Sequence, residues 1–246
     1  LYVNAASGYS DGSVGTDDCS TLTGWTTAEG SPQQGTYDGR SAFRFHNTSL
    51  PQSTTIAKDF GEPGAKCSLE VVAEFATLGN GPTNPYGDFP YVGLLMTGVR
   101  CLVAWGSNGI YVNDGNEYQL VHSMTVPTGE WHTWTFNNDA TTWADATMDI
   151  YLDGSLLVSS VDCSYTGTYT NGTVNLGAAY WTSVSVDWYV DQVKVGSWME
   201  PENPVYEPTA GTLDTANPTD LMAYFIIEPV DALTMGTDVV GTLSID

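Results

Sequence analysis

The sequence predicts an all-β protein, an antiparallel sandwich of two packed sheets. Three observations predict it: short runs alternate apolar and polar residues with period two, Gly, Asn, Asp or Pro bounds those runs, and helical periodicity is almost absent. Composition agrees, with aromatics at 12% of the 246 residues, including 8 Trp and 14 Tyr, against only 14% charged residues. Polar character therefore comes mainly from Thr, Ser, Asn and Gly, the make-up of a β-rich surface. All-β sandwiches run to about 200 residues as a single domain, so one main domain is expected.

The strands follow in order. In Ser68–Phe75, Leu69, Val71, Ala73 and Phe75 share one face and Glu70 and Glu74 the other, as a half-buried strand requires. Further runs at Tyr91–Thr97, Val99–Trp105, Gly109–Asn113 and Tyr118–Thr125 read as strands. Trp131–Phe136 places His132, Trp134 and Phe136 together. Met148, Ile150 and Leu152 align on the next strand, the chain turns at Asp153-Gly154, and Ser155–Val158 resumes. Asp-Gly between such runs is the strongest hairpin signal in the chain. Thr173–Gly177 and Val184–Val195 complete the series, and about a dozen short strands at this spacing imply two sheets.

After Trp198 the character changes. Pro201, Pro204, Pro208 and Pro218 punctuate a stretch with few large apolar side chains, which reads as an extended linker. The expected organisation is an arm over 1–16, the sandwich over 17–198, a linker over 199–219 and a β segment over 220–246. That last segment is too short to bury its own core, so Leu221, Tyr224, Phe225, Ile226 and Ile227 are expected to mediate assembly, on a neighbouring copy or another structural subunit.

Six Lys and Arg against 29 Asp and Glu give a formal charge of −23, which repels polyanions and supplies none of the counterion release that nucleic-acid affinity needs. Neither nucleic acid nor membrane insertion is expected, since no run approaches the ~18 apolar residues that span a bilayer. Four cysteines, Cys19, Cys67, Cys101 and Cys163, lack zinc spacing. Two disulfides, Cys19–Cys67 with Cys101–Cys163 favoured among three pairings, imply an extracellular or virion-surface setting; four buried thiols are the competing expectation.

Four segments recur in an order that resembles a known family. They are Glu130-Trp131-His132-Thr133-Trp134-Thr135-Phe136, Met148 to Gly154, Gly172-Thr173-Val174-Asn175-Leu176-Gly177, and Val186 to Val195 with its Val190-Asp191-Gln192-Val193 core. With the opening Asp17-Asp18-Cys19-Ser20 and Leu22-Thr23-Gly24-Trp25, they resemble concanavalin A-like lectin/glucanase domains, particularly the laminin G-like branch. The resemblance implies a jelly roll. It also implies calcium as a cofactor, held by Asp17, Asp18 and Asp187 or Asp191 from opening and closing strands that usually lie together. The tail from Phe225-Ile226-Ile227-Glu228 to Leu243-Ser244-Ile245-Asp246 is similar to a segment of tailed-bacteriophage structural and fibre proteins.

Catalytic patterns are missing from the sequence. Glucanases of this fold carry alternate carboxylates on one strand, and no such triplet exists; Glu70 with Glu74 and Asp149 with Asp153 are the nearest pairs, read as solvated faces and a hairpin turn. No nucleophile elbow appears. A lyase that holds a uronate needs Arg, Lys, Tyr and His together, whereas the six basic residues are scattered at 40, 44, 58, 66, 100 and 194. Aromatics beside amides and carboxylates suit the stacking of sugar faces, which makes Asn84, Tyr86, Asp88, Tyr91, Trp105, Asn108, Tyr180 and Trp181 the candidate glycan contacts. The expectation is a non-catalytic virion surface or structural protein, a phage fibre, tail or capsid-decoration subunit, with a lectin-like domain for glycan or subunit contact. The alternatives are a secreted bacterial or archaeal adhesin or filament subunit assembling by strand donation, and a glycan-cleaving enzyme of the glucanase branch.

Overall fold

The computed structural model describes residues 9–199, apart from short stretches at 48–51, 62, 65, 84–85, 97–98, 114–116, 140–145, 165–171 and 182–183. The linker and the expected assembly residues Leu221, Tyr224, Phe225, Ile226 and Ile227 lie outside the described residues.

The described residues form sixteen strands. They begin β1 (Tyr9–Asp17), β2 (Thr26–Glu29), β3 (Gln33–Tyr37), β4 (Arg40–Asn47) and β5 (Gln52–Asp59). The central part holds β6 (Lys66–Thr77), β7 (Gly81–Thr83), β8 (Tyr86–Met96), β9 (Val99–Gly106), β10 (Gly109–Asn113) and β11 (Tyr118–Ser123). The last five are β12 (Trp131–Asp139), β13 (Thr147–Leu152), β14 (Ser155–Asp162), β15 (Thr173–Tyr180) and β16 (Val186–Met199).

All the pairings are antiparallel. The first sheet runs β14-β13-β12-β6-β16-β4-β3, and the second runs β11-β10-β9-β8-β15-β5-β2 with β7 on β8. β4 lines the first part of β16 and β1 the remainder, so the chain joins the sandwich from Tyr9, ahead of the expected boundary at Asp17. Every strand expected between Ser68 and Val195 is present, most of them longer than expected.

Alternation sets the faces. On β6, Leu69, Val71, Ala73 and Phe75 point into the sandwich and are buried, which turns Glu70 and Glu74 outward. Between the sheets sits an aromatic cluster in which Trp105 of the second sheet meets Trp134 and Trp188 of the first, with ring centroids 5.4 and 6.1 Å away. Phe75 lies within 5.1 to 6.1 Å of all three. Edge-to-face and tilted pairs of this kind add to the large area that the rings bury.

Two local devices keep the register. Asp153 and Gly154 both take positive φ, 48° and 77°, the conformation that a tight two-residue hairpin demands. On β16, Val190 pairs with Ala73 and Gln192 with Val72, so Asp191 is an inserted bulge residue. Because of that insertion Trp188 and Val190 before it and Val193 and Val195 after it all face the core.

Candidate functional site

The outer face of the first sheet carries the densest set of chemically capable side chains. Glu74 stands on the central strand β6, and its cross-strand neighbours are Trp131 on β12 and Tyr189 on β16. The two rings lie 6.4 Å apart, and Tyr37 from β3 packs on Tyr189 at 4.6 Å, so three aromatics span the sheet across its strands. The Arg40 guanidinium lies 5.2 Å from the Trp131 ring, and that of Arg44 lies 5.7 Å from the Tyr189 ring.

Two residues before Tyr189, Asp187 faces the same side. Arg44 holds it with two hydrogen bonds, Nε to Oδ1 at 2.9 Å and Nη2 to Oδ2 at 2.6 Å, and His46 Nδ1 approaches Oδ2 to 3.2 Å. This planar two-point grip fits a guanidinium to a carboxylate and raises the Arg44 pKa further above its usual value. Arg40 forms the parallel pair with Asp191 at 2.6 Å.

Glu74 differs from these paired aspartates. Only 7% of it is exposed, and among the described residues no hydrogen bond or ion pair reaches its carboxyl. Burial pushes its pKa up, and the charges of Asp38 and Asp187 push it in the same direction. The neighbouring Tyr189 phenol is also raised, by burial and then by Asp187. A buried carboxyl beside a clamped carboxylate is the arrangement that lets one acid stay protonated while its neighbour stays ionised.

Several of the expected glycan contacts have structural roles in the described fold. Asn84 and the side chain of Tyr86 lie outside the described residues. Trp105 is a core residue with no exposed surface, and Tyr180 is buried. Asp88 is fully buried and accepts hydrogen bonds from the backbone N–H of Trp181 at 2.5 Å and of Val184 at 3.0 Å, which makes it the clamp of that turn. Tyr91 lies against Gly177 on the second sheet and shares a 2.5 Å hydrogen bond with Thr55. Asn108 accepts one from Tyr111 at 2.8 Å. Trp181, 44% exposed, and Asn108 are displayed to solvent.

Each of the four aspartates suggested for calcium has a partner of its own. Asp17 pairs with Lys58, Asp18 caps the backbone of Ser20, Asp187 holds Arg44 and Asp191 holds Arg40. Among the described residues no group of three His, Cys, Asp or Glu comes together to hold a metal ion. Cys19 is a buried thiol and not half of a Cys19–Cys67 bridge, and burial pushes its pKa up, which makes it inert. Cys67 and Cys163 are also buried, and the side chain of Cys101 lies outside the described residues.

No family model matches the chain, and no curated protein matches it by sequence. Its fold, however, matches many solved structures. "Cellulose induced protein, Cip1" superposes with a TM-score of 0.54 at 12% identity, over 74% of this chain and 96% of that one. An endo-beta-1,4-glucuronan lyase from the fungus Trichoderma reesei gives 0.53 at 12%, over 76% and 96%. A structure from work on endo-acting O-glycanases with which human gut microbiota initiate mucin breakdown gives 0.53 at 12%, over 76% and 100%. The fold is thus the concanavalin A-like jelly roll. Identities this low establish the fold and nothing finer.

These findings correct two expectations. The expectation of a non-catalytic protein does not stand, because several of the structures that share this fold are named as enzymes. The basic residues are not simply scattered either. Arg40, Arg44 and His46 of one strand come together with Tyr37 and Tyr189. The signal was present in Phe43-Arg44-Phe45-His46: two buried phenylalanines on one face put Arg44 and His46 on the other.

Proposed function

We propose that the protein cleaves a glycan laid across the outer face of the first sheet, with Glu74 as the proton donor. The observation that carries this is a buried carboxyl, unpartnered among the described residues and flanked by two aromatic rings, beside the ion-paired Asp187 and Asp191. Sugar rings stack on Trp131, Tyr189 and Tyr37. Protonated Glu74 gives its proton to the oxygen that leaves with one fragment. Water supplies hydroxyl to the other fragment, and the proton left over restores Glu74. Burial first, then the charges of Asp38 and Asp187, favour the protonated form of Glu74, and Asp187, held by Arg44, acts as a positioning residue.

The names of the structural neighbours, which include glycan-acting enzymes, support this reading, as does the composition of the face. Polymeric glycans lie outside cells, so a virion-surface or extracellular setting belongs to the same proposal, with residues 221–245 joining the protein to further copies or to other subunits. The test is product release from a panel of glycans by the whole chain and by Glu74→Gln. Release by both proteins, or by neither, would sink it.

A further inference from the structure

Arg40 and Arg44 invite the idea of an acidic substrate, but each is already neutralised. Arg40 is paired with Asp191, and Arg44 is held at two points by Asp187, with His46 on the same carboxylate. Close to these pairs stand Asp38 and Glu74, whose carboxyls have no cation of their own among the described residues. On the same sheet Lys66 is paired with Asp139 and Lys194 stands opposite Glu70 in the register of β16 with β6, while Lys58 of the second sheet is paired with Asp17. Apart from Lys194, the lysines and arginines with described side chains are paired with carboxylates, in a chain whose formal charge is −23.

Resting on the site proposed above, we infer that its substrate is an uncharged glycan, and that polymers carrying carboxylate or sulfate groups are rejected. To use Arg44, an incoming carboxylate would have to break both of its bonds to Asp187 and leave that half-enclosed aspartate without its counter-ion. An anion laid on the face also meets Asp38 and the field of the whole molecule, and like charges brought together without compensation give specificity by exclusion. A neutral sugar meets no such barrier. Its hydroxyls donate to the carboxyl oxygens, and its faces cover the rings of Tyr37, Tyr189 and Trp131.

The cleanest probe changes charge and keeps the backbone of the polymer: polygalacturonate against its fully methyl-esterified form, run beside cellulose oligomers, mixed-linkage glucan and xylan. Binding is read by affinity electrophoresis on the whole chain, together with product release. At least one neutral polymer should bind, the ester should bind at least about tenfold more tightly than the acid, and raising the salt should narrow that gap. Asp191→Asn, which frees the exposed Arg40, should raise affinity for the acid form. Equal binding of acid and ester, preference for the acid, or failure of every neutral polymer to bind would overturn the inference. Persistent cleavage by Glu74→Gln with the neutral preference intact would instead remove Glu74 as donor and leave the substrate class standing.

Discussion

Arg44 closes on Asp187 through two hydrogen bonds, 2.9 Å from Nε and 2.6 Å from Nη2, across two adjacent strands of the sheet. The pair is half-enclosed, so removing one partner costs more than a surface ion pair is worth. Arg44→Ala should lower stability by roughly 1–3 kcal/mol in urea unfolding, the cost of leaving a charged acceptor without its donors. A change within about 0.3 kcal/mol would mean that water already carries the charge of Asp187.

Glu74 gives a pH signature with a definite sign. Its pKa is raised in the folded protein, so the native state binds this proton more tightly than the unfolded chain does. Its contribution is complete below the ordinary glutamic acid pKa and is lost as pH rises through the folded value. Glu74→Gln, which cannot ionise, should therefore gain on the wild type as pH rises across that window and level off above it. Parallel urea midpoints at a ladder of pH values would show the divergence. Product release by the wild type should fall over the same range, since a proton donor works only while protonated.

Stacking and proton transfer should separate by mutation. Trp131→Ala removes a ring beside Glu74 and should weaken glycan affinity by about tenfold, the loss of a stacking contact worth roughly 1–2 kcal/mol. Glu74→Gln should abolish product release and leave affinity within about twofold. Affinity electrophoresis and reducing-end release on the same preparations distinguish the two.

Trp105 belongs to the core, and its substitutions should read as packing. Trp105→Ala empties the centre of the cluster with Phe75, Trp134 and Trp188 and should cost about 3–5 kcal/mol. Trp105→Phe keeps part of the volume and should leave glycan affinity unchanged. Loss of affinity in a folded Trp105→Phe protein would restore the ligand role suggested by the sequence.

Asp88 provides a further test of a residue that reads differently in the fold. It accepts two backbone N–H groups from the turn that follows β15, and charged acceptors make bonds worth about 1.5–3 kcal/mol each. Asp88→Ala should therefore destabilise by roughly 2 kcal/mol or more. Asp88→Asn retains one oxygen acceptor and should recover part of the loss, as differential scanning calorimetry would show.

Strand prediction succeeded where alternation was long and regular and faltered elsewhere. β6, β12 and β13 present clear alternation, and the Asp153-Gly154 turn between β13 and β14 has the positive φ values that its sequence requires. β2 and β3 carry almost no apolar residues and are exposed along their length, so nothing in their composition announces a strand. They exist because β5 and β4 offer unpaired backbone edges. β4 was legible, since Phe43 and Phe45 alternate with Arg44 and His46, but its polar members resemble ordinary surface residues.

By itself the sequence determined the all-β class, the two-sheet sandwich, the central strands and the face on which each of their side chains stands, because period-two alternation is a local property of the chain. It could not reveal which strands become neighbours. Glu74, Trp131 and Tyr189 form one site only because β6 lies between β12 and β16, and Arg44 reaches Asp187 only because β4 pairs with the first part of β16. The Asp191 bulge then keeps both halves of β16 facing the core while Arg40 takes hold of Asp191. Neighbourhood across strands is set by burial and by hydrogen-bond pairing over the whole sandwich. That is why Glu74 and its aromatic neighbours, and Arg44 and Asp187, looked isolated along the chain and come together only in the folded protein.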